Sequence, residues 1–218
     1  MPVNSSDPHA QAQLYAAGAT LEEANSAVIA LHGRGADAAD IINLAGEVVP
    51  PGVVILAPNA VGQTWYPYRF IEPIERNEPY LSSALDLVGK LVSHLAESGI
   101  PAERVALLGF SQGACLALEY AARHAQRYGA VVAFSGGLIG PPGTVFSYPG
   151  SLAGTPVFLG CSDVDAHIPV GRVEESAQAM AALGAAVDLR IYPGLGHTVN
   201  GDEIQAVRAM LAPLGTGA

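Results

Sequence analysis

The chain has 218 residues, half of them hydrophobic, and a formal net charge of −10. That length supports one sizeable core, and no shift in composition asks for a second domain. There is no run of Lys or Arg to track a nucleic acid or an anionic membrane surface, no apolar stretch near the roughly 20 residues of a membrane span, and no cluster of metal-ligating residues, which sets those three classes aside.

Residues 1 to 25 resist assignment, although Thr20-Leu21-Glu22-Glu23 has the form of a capping box for a short helical turn. The first 13 residues are polar, contain Pro2 and Pro8, and lack the basic start and apolar run of an export signal, so a cytoplasmic location is expected. Residues 27 to 31 form a compact apolar strand that runs into His32-Gly33-Arg34-Gly35, and a helix is predicted from about 38 to 49. Another strand follows at 53 to 57. From 59 to 79 periodicity gives way to Trp65, Tyr66, Tyr68, Phe70 and several prolines, a loop too long for a plain connection. Long aromatic loops beside a reactive edge shape pockets; Trp65, Tyr66 and Phe70 are the candidates for contacting substrate, with Trp65 first. The same loops are the surface on which a homodimer would form.

Apolar residues from Leu81 to Leu95 recur at i, i+3, i+4 and i+7, which predicts a helix over about 79 to 98, with His94 on its surface. A strand at 105 to 110 then leads into Gly109-Phe110-Ser111-Gln112-Gly113 and a helix over 111 to 127. A serine between two glycines at a strand-to-helix turn is forced to positive φ, and its hydroxyl is left at the sheet edge. The Gln112 N–H, in the first helical turn, has no acceptor within the helix and can donate to a developing oxyanion. Gly33 and Gly35 let the earlier loop offer a second amide, that of Arg34. Strands at 130–134, 156–161 and 186–192, with helices after Pro169 and over 202–211, complete an alternating β/α pattern, which means a mostly parallel sheet with helices on both faces. The Gly/Pro-rich stretch from 135 to 155 is expected to face the aromatic loop across the site. Cys115 and Cys161 read as packed, reduced thiols.

After the elbow, Asp163 and Asp165 fall at one strand end and His197 follows the last strand, giving the order Ser, Asp, His. A serine hydroxyl needs an imidazole to take its proton, and the imidazole needs a carboxylate to fix its tautomer. Two aspartates compete for that role: Asp165 lies deeper in the loop and is preferred, while Asp163 suits an Asx turn tying the loop to backbone amides. His167 is too near the acid in sequence to act as the base.

These motifs, His32-Gly33-Arg34-Gly35, Gly109-Phe110-Ser111-Gln112-Gly113-Ala114, Asp163-Val164-Asp165 with Ile168-Pro169, and Gly196-His197, resemble the phospholipase/carboxylesterase family, which includes acyl-protein thioesterases. The resemblance implies a single compact α/β-hydrolase domain over 1–218 without a separate cap and a cofactor-free serine esterase. It assigns the triad to Ser111, Asp165 and His197 and the oxyanion amides to Arg34 and Gln112. The stretch from Arg69 to Pro79 departs from the thioesterase pattern, which favours a carboxylesterase acting on short- to medium-chain esters over protein depalmitoylation. Lysophospholipids and acyl thioesters are the alternative substrates, although no basic patch for a head group or coenzyme is evident in the sequence. A non-catalytic binding module is the remote alternative.

Overall fold

The computed structural model describes residues 7–216 of the chain. Its elements in order are β1 (Leu14–Gly18), β2 (Ala27–Leu31), α1 (Ala38–Val48), β3 (Val54–Pro58), α2 (Tyr80–Glu97), β4 (Val105–Phe110), α3 (Gln112–Arg123), β5 (Ala130–Phe134), β6 (Pro156–Ser162), α4 (Val170–Ala182), β7 (Ala186–Tyr192) and α5 (Gly201–Gly215). The strands form one sheet in the order β1-β3-β2-β4-β5-β6-β7. Only β1 is antiparallel to its neighbour; the other adjacent pairs are parallel.

Parallel strands need crossover helices, and these cover both faces of the sheet, so the central strands are apolar on both sides. Alternation along β2 shows the division: Ala27, Ile29 and Leu31 pack with α2 and α3, whereas Val28 and Ala30 pack with α1 and α5. Fully buried side chains such as Ile29 and Leu107 each contribute about 1.5–3 kcal/mol. The register pairs Leu31 with Gly109, Gly109 with Ala133 and Phe110 with Phe134, so β2, β4 and β5 end together at one carboxyl edge. This is the α/β-hydrolase arrangement expected from the sequence, with no cap domain among the described residues.

Two local details are added and one expectation changes. No residue of β1 is buried, and Leu14 and Tyr15 are exposed; an edge strand without an apolar stripe is recognisable only through its pairing with β3. The Thr20 segment stays a single turn, closed by the Thr20 hydroxyl on Glu23. Helix α3 ends at Arg123 rather than 127, because Tyr128 turns into the core, its amide bonded to Thr155 and its hydroxyl to the His124 carbonyl.

Candidate active site

Ser111 stands between β4 and α3 with φ 54° and ψ −117°, a conformation that costs of order 1–3 kcal/mol in a non-glycine residue. The surroundings hold it there. Its N–H donates to the Phe134 carbonyl at 2.9 Å, and its own carbonyl accepts from the Cys115 N–H at 3.0 Å. Both flanking glycines are required sterically: a Cβ on Gly109 would overlap the Gly113 backbone, and one on Gly113 would overlap the Leu31 carbonyl at the end of β2.

His197, from the loop between β7 and α5, brings Nε2 to 2.9 Å from Ser111 Oγ, and its Nδ1 lies 2.7 Å from Asp165 Oδ2. The carboxylate fixes the proton on Nδ1, leaving Nε2 as an acceptor for the serine hydroxyl. Asp165 is buried, which alone would raise its pKa. The hydrogen bonds from His197 and from the His167 and Ile168 amides outweigh that and hold it below the ordinary carboxylate range. The imidazole is flanked by the rings of Phe110 (5.0 Å between centroids) and His167 (4.7 Å). Asp163 ties its loop to a backbone amide, but across to the next strand end and not in the Asx turn expected of it: its carboxylate accepts from the Gly194 N–H at 2.8 Å, and Ser162 Oγ accepts from the Gly196 N–H, so the His197 loop is tied back to the end of β6.

On the far side, Arg34 and Gln112 both border the same cavity as Ser111 and His197, and among the described residues neither backbone N–H has an acceptor within the protein. His32 fixes the loop that carries Arg34. Its Nε2 accepts from the Ala60 N–H and its Nδ1–H donates to the Gly33 carbonyl, which makes it the Nδ1–H tautomer, and burial pushes its pKa down, favouring the neutral ring. The side chains of both oxyanion candidates have work that sequence reasoning missed. Gln112 accepts from the Trp65 N–H and the Thr64 hydroxyl and donates to the Tyr66 carbonyl; the Arg34 guanidinium donates to the carbonyls of Tyr66, Pro67 and Tyr68. The only cue was a polar residue at each of two tight turns.

Trp65, the first choice as a pocket residue, does not line the cavity. It is completely buried behind it, with its indole N–H on the His32 carbonyl at 2.8 Å and its ring against His32 and His9. An indole with its one donor satisfied inside the core braces the loop instead of meeting substrate. Tyr66 and Phe70 do line the cavity, joined by Phe110, Ile168, Cys115, His167 and Arg69, none of which the sequence had singled out as contacts. The second Gly/Pro-rich loop does not face the aromatic one across the site. It lies behind it, the Gly140 N–H donating to the Phe70 carbonyl, while Phe146 and Tyr148 border a separate recess. In the loop from 59 to 79, Trp65, Tyr66 and Phe70 are buried and Tyr68 is the exposed aromatic ring. Cys115 touches the cavity but burial pushes its thiol up to about 12, so near neutral pH it is not a competing nucleophile. Neither cysteine is bridged.

The cavity encloses about 280 Å³, just under the roughly 300–1,000 Å³ of sites for drug-sized ligands. Among the described residues, no helix is long and apolar enough to cross a membrane, and no group of three or more His, Cys, Asp or Glu residues is placed to hold a metal ion.

The chain is similar to several known hydrolases. A phospholipase/carboxylesterase from Dyadobacter fermentans is 45% identical, with a TM-score of 0.88 over 93% of this chain and 97% of its own. Esterase PE8 is 27% identical with a TM-score of 0.75, over 93% of this chain and 99% of its own. Acyl-protein thioesterase 1 of Saccharomyces cerevisiae is 27% identical over 133 residues, 59% of this chain and 58% of the yeast protein; the chain thus matches little more than half the length of that relative. The phospholipase/carboxylesterase family model matches residues 17–214, from β1 to the last turn of α5, and the chain belongs to that family.

Proposed function

We propose that the protein hydrolyses carboxylic esters of short to medium acyl chains through an acyl-Ser111 intermediate. The observation that carries this reading is the unbroken relay from Ser111 Oγ through His197 to a buried Asp165, with spans of 2.9 and 2.7 Å. His197 Nε2 takes the hydroxyl proton as Oγ bonds to the ester carbonyl carbon. The carbonyl oxygen gains the negative charge and meets the Arg34 and Gln112 N–H groups. Collapse breaks the C–O bond to the alcohol, which leaves with the proton held on Nε2. Water then repeats the sequence on the acyl-enzyme and releases the acid. The apolar walls given by Phe70, Phe110 and Ile168 take the acyl chain, and the limited volume keeps it short.

Replacing Ser111 by Ala should lower kcat/KM for a chromogenic acyl ester by at least ~10³-fold; retention of most activity would refute the assignment. The thioesterase relative supports a second substrate, the acyl thioester, cleaved by the same groups. Turnover of an ester and a thioester with the same acyl chain decides which is preferred. A cytoplasmic location fits two buried, unbridged thiols.

A further inference from the structure

The side chains that line the cavity include no carboxylate and two guanidinium groups, Arg34 and Arg69. In a chain of net charge −10 this reverses the average surface. Five of the other cations are matched by carboxylates: Lys90 pairs with Asp7, Arg76 with Glu72, Arg123 with Glu119, Arg172 with Glu175, and Arg190 with Asp188 and Asp202; Arg127 and Arg208 bond to backbone carbonyls away from the cavity. Arg34 and Arg69 meet only backbone carbonyls among the described residues. Arg34 spends its donors on the aromatic loop. Arg69 makes one bond, to the His167 carbonyl at 3.2 Å, and the rest of its planar fork is open.

The backbone that presents Arg69 is pinned on both sides. The buried Asn77 side chain accepts from the Tyr68 N–H and donates to the Arg69 carbonyl, and the next carbonyl, that of Phe70, accepts from Gly140. A strongly basic group therefore lines the same small cavity as Ser111, with no carboxylate on the cavity wall to neutralise it. Such a fork matches the paired oxygens of an oxyanion.

We propose that Arg69 determines specificity by binding an oxyanion, carboxylate or phosphate, carried by the substrate a few bonds from the scissile ester. This rests on the esterase reading of Ser111 above. The small volume favours compact molecules such as half-esters of short dicarboxylic acids, whose hydrocarbon lies on Phe70 and Ile168 while the free acid reaches Arg69.

The test uses matched pairs on the purified full chain: the monomethyl and dimethyl esters of glutaric acid, and a butyryl ester of glycerol 3-phosphate against the same ester of glycerol. The quantity read is the anionic-to-neutral ratio of kcat/KM within each enzyme, so a general loss of activity cancels. In Arg69→Gln the ratio should fall about 10- to 100-fold for one pair, which identifies the oxyanion, with Arg69→Lys intermediate. The native ratio should also shrink with added salt. An unchanged ratio in Arg69→Gln for both pairs overturns the proposal. That outcome, with Ser111→Ala still inactive on the neutral esters, leaves the esterase reading standing; a Ser111→Ala variant that still cleaves them removes the foundation instead.

Discussion

On one bank of the cleft, Gln112, Arg34, His32 and His9 knit the oxyanion loop to the aromatic loop through side-chain bonds, several of them buried, that reach across 28 to 56 positions of sequence. On the other, the proposed acid and base, Asp165 and His197, ride on two loops held by carboxylate and hydroxyl caps at adjacent strand ends: Asp163 on Gly194 and Ser162 on Gly196 from the end of β6 to the loop after β7, and Asp165 on the nearby amides of His167 and Ile168. The first bank is built like a core, the second like a hinge with stops. Amides that must await a transient charge need a fixed frame, because they cannot adjust without the whole backbone. An imidazole that shuttles a proton between two partners needs only to be kept in range. Changes on the first bank should therefore appear as lost stability, and on the second as lost turnover.

The largest effect is expected at Asp165. Asp165→Asn keeps the shape but favours the wrong imidazole tautomer, and kcat should fall by ~10³–10⁴-fold with the melting temperature nearly unchanged. A comparable loss of stability in that variant would erase the distinction between the banks. Gln112→Ala retains the main-chain N–H but leaves the buried Trp65 N–H without a partner. It should cost about 2–4 kcal/mol in urea unfolding, while kcat of the folded fraction drops far less than in Asp165→Asn. Asp163→Ala frees the Gly194 turn at an exposed position: about a tenfold fall in kcat, with stability within ~0.5 kcal/mol of the parent.

The last effect, on stability and its pH dependence and not on turnover, concerns Glu203, behind the His197 loop. One oxygen accepts from the Asn200 N–H, the other has no partner among the described residues, and burial pushes its pKa up to about 7. A carboxyl that binds its proton more tightly when folded stabilises fully below its ordinary value of 4.5 and loses that contribution as pH rises through 7. Denaturation at pH 5 and pH 8 should show the native protein weakening by up to about 3 kcal/mol, and Glu203→Gln changing less. Equal pH sensitivity in the two would clear Glu203 as the source.

The second bank was readable from sequence, whereas on the first only the two amides of Arg34 and Gln112 were and the side-chain ties were not, for a physical reason. Ser111, Asp165 and His197 each follow a strand whose apolar run is a local signal, and the order of strand ends in a parallel sheet is the order of the chain. The caps of Asp163 and Asp165 act within a few residues or on an adjacent strand end. The ties made by Gln112 and Arg34 depend on where a loop some 30 to 50 positions away comes to rest, which no periodicity encodes. Trp65 was misjudged on the same account: aromatic bulk in a loop says that the residue will be covered, not by what. Arg69 gave no cue at all, since its meaning lies in a cavity wall that holds no carboxylate once the chain has folded.

Arg34 joins two tasks in a single residue, the main-chain donor proposed for the oxyanion and a side chain that staples three carbonyls. Alanine scanning would report their combined loss and credit it to chemistry. Swapping that one peptide link for an ester by semisynthesis deletes the N–H while sparing the guanidinium, so the catalytic share can be weighed apart from the architectural one.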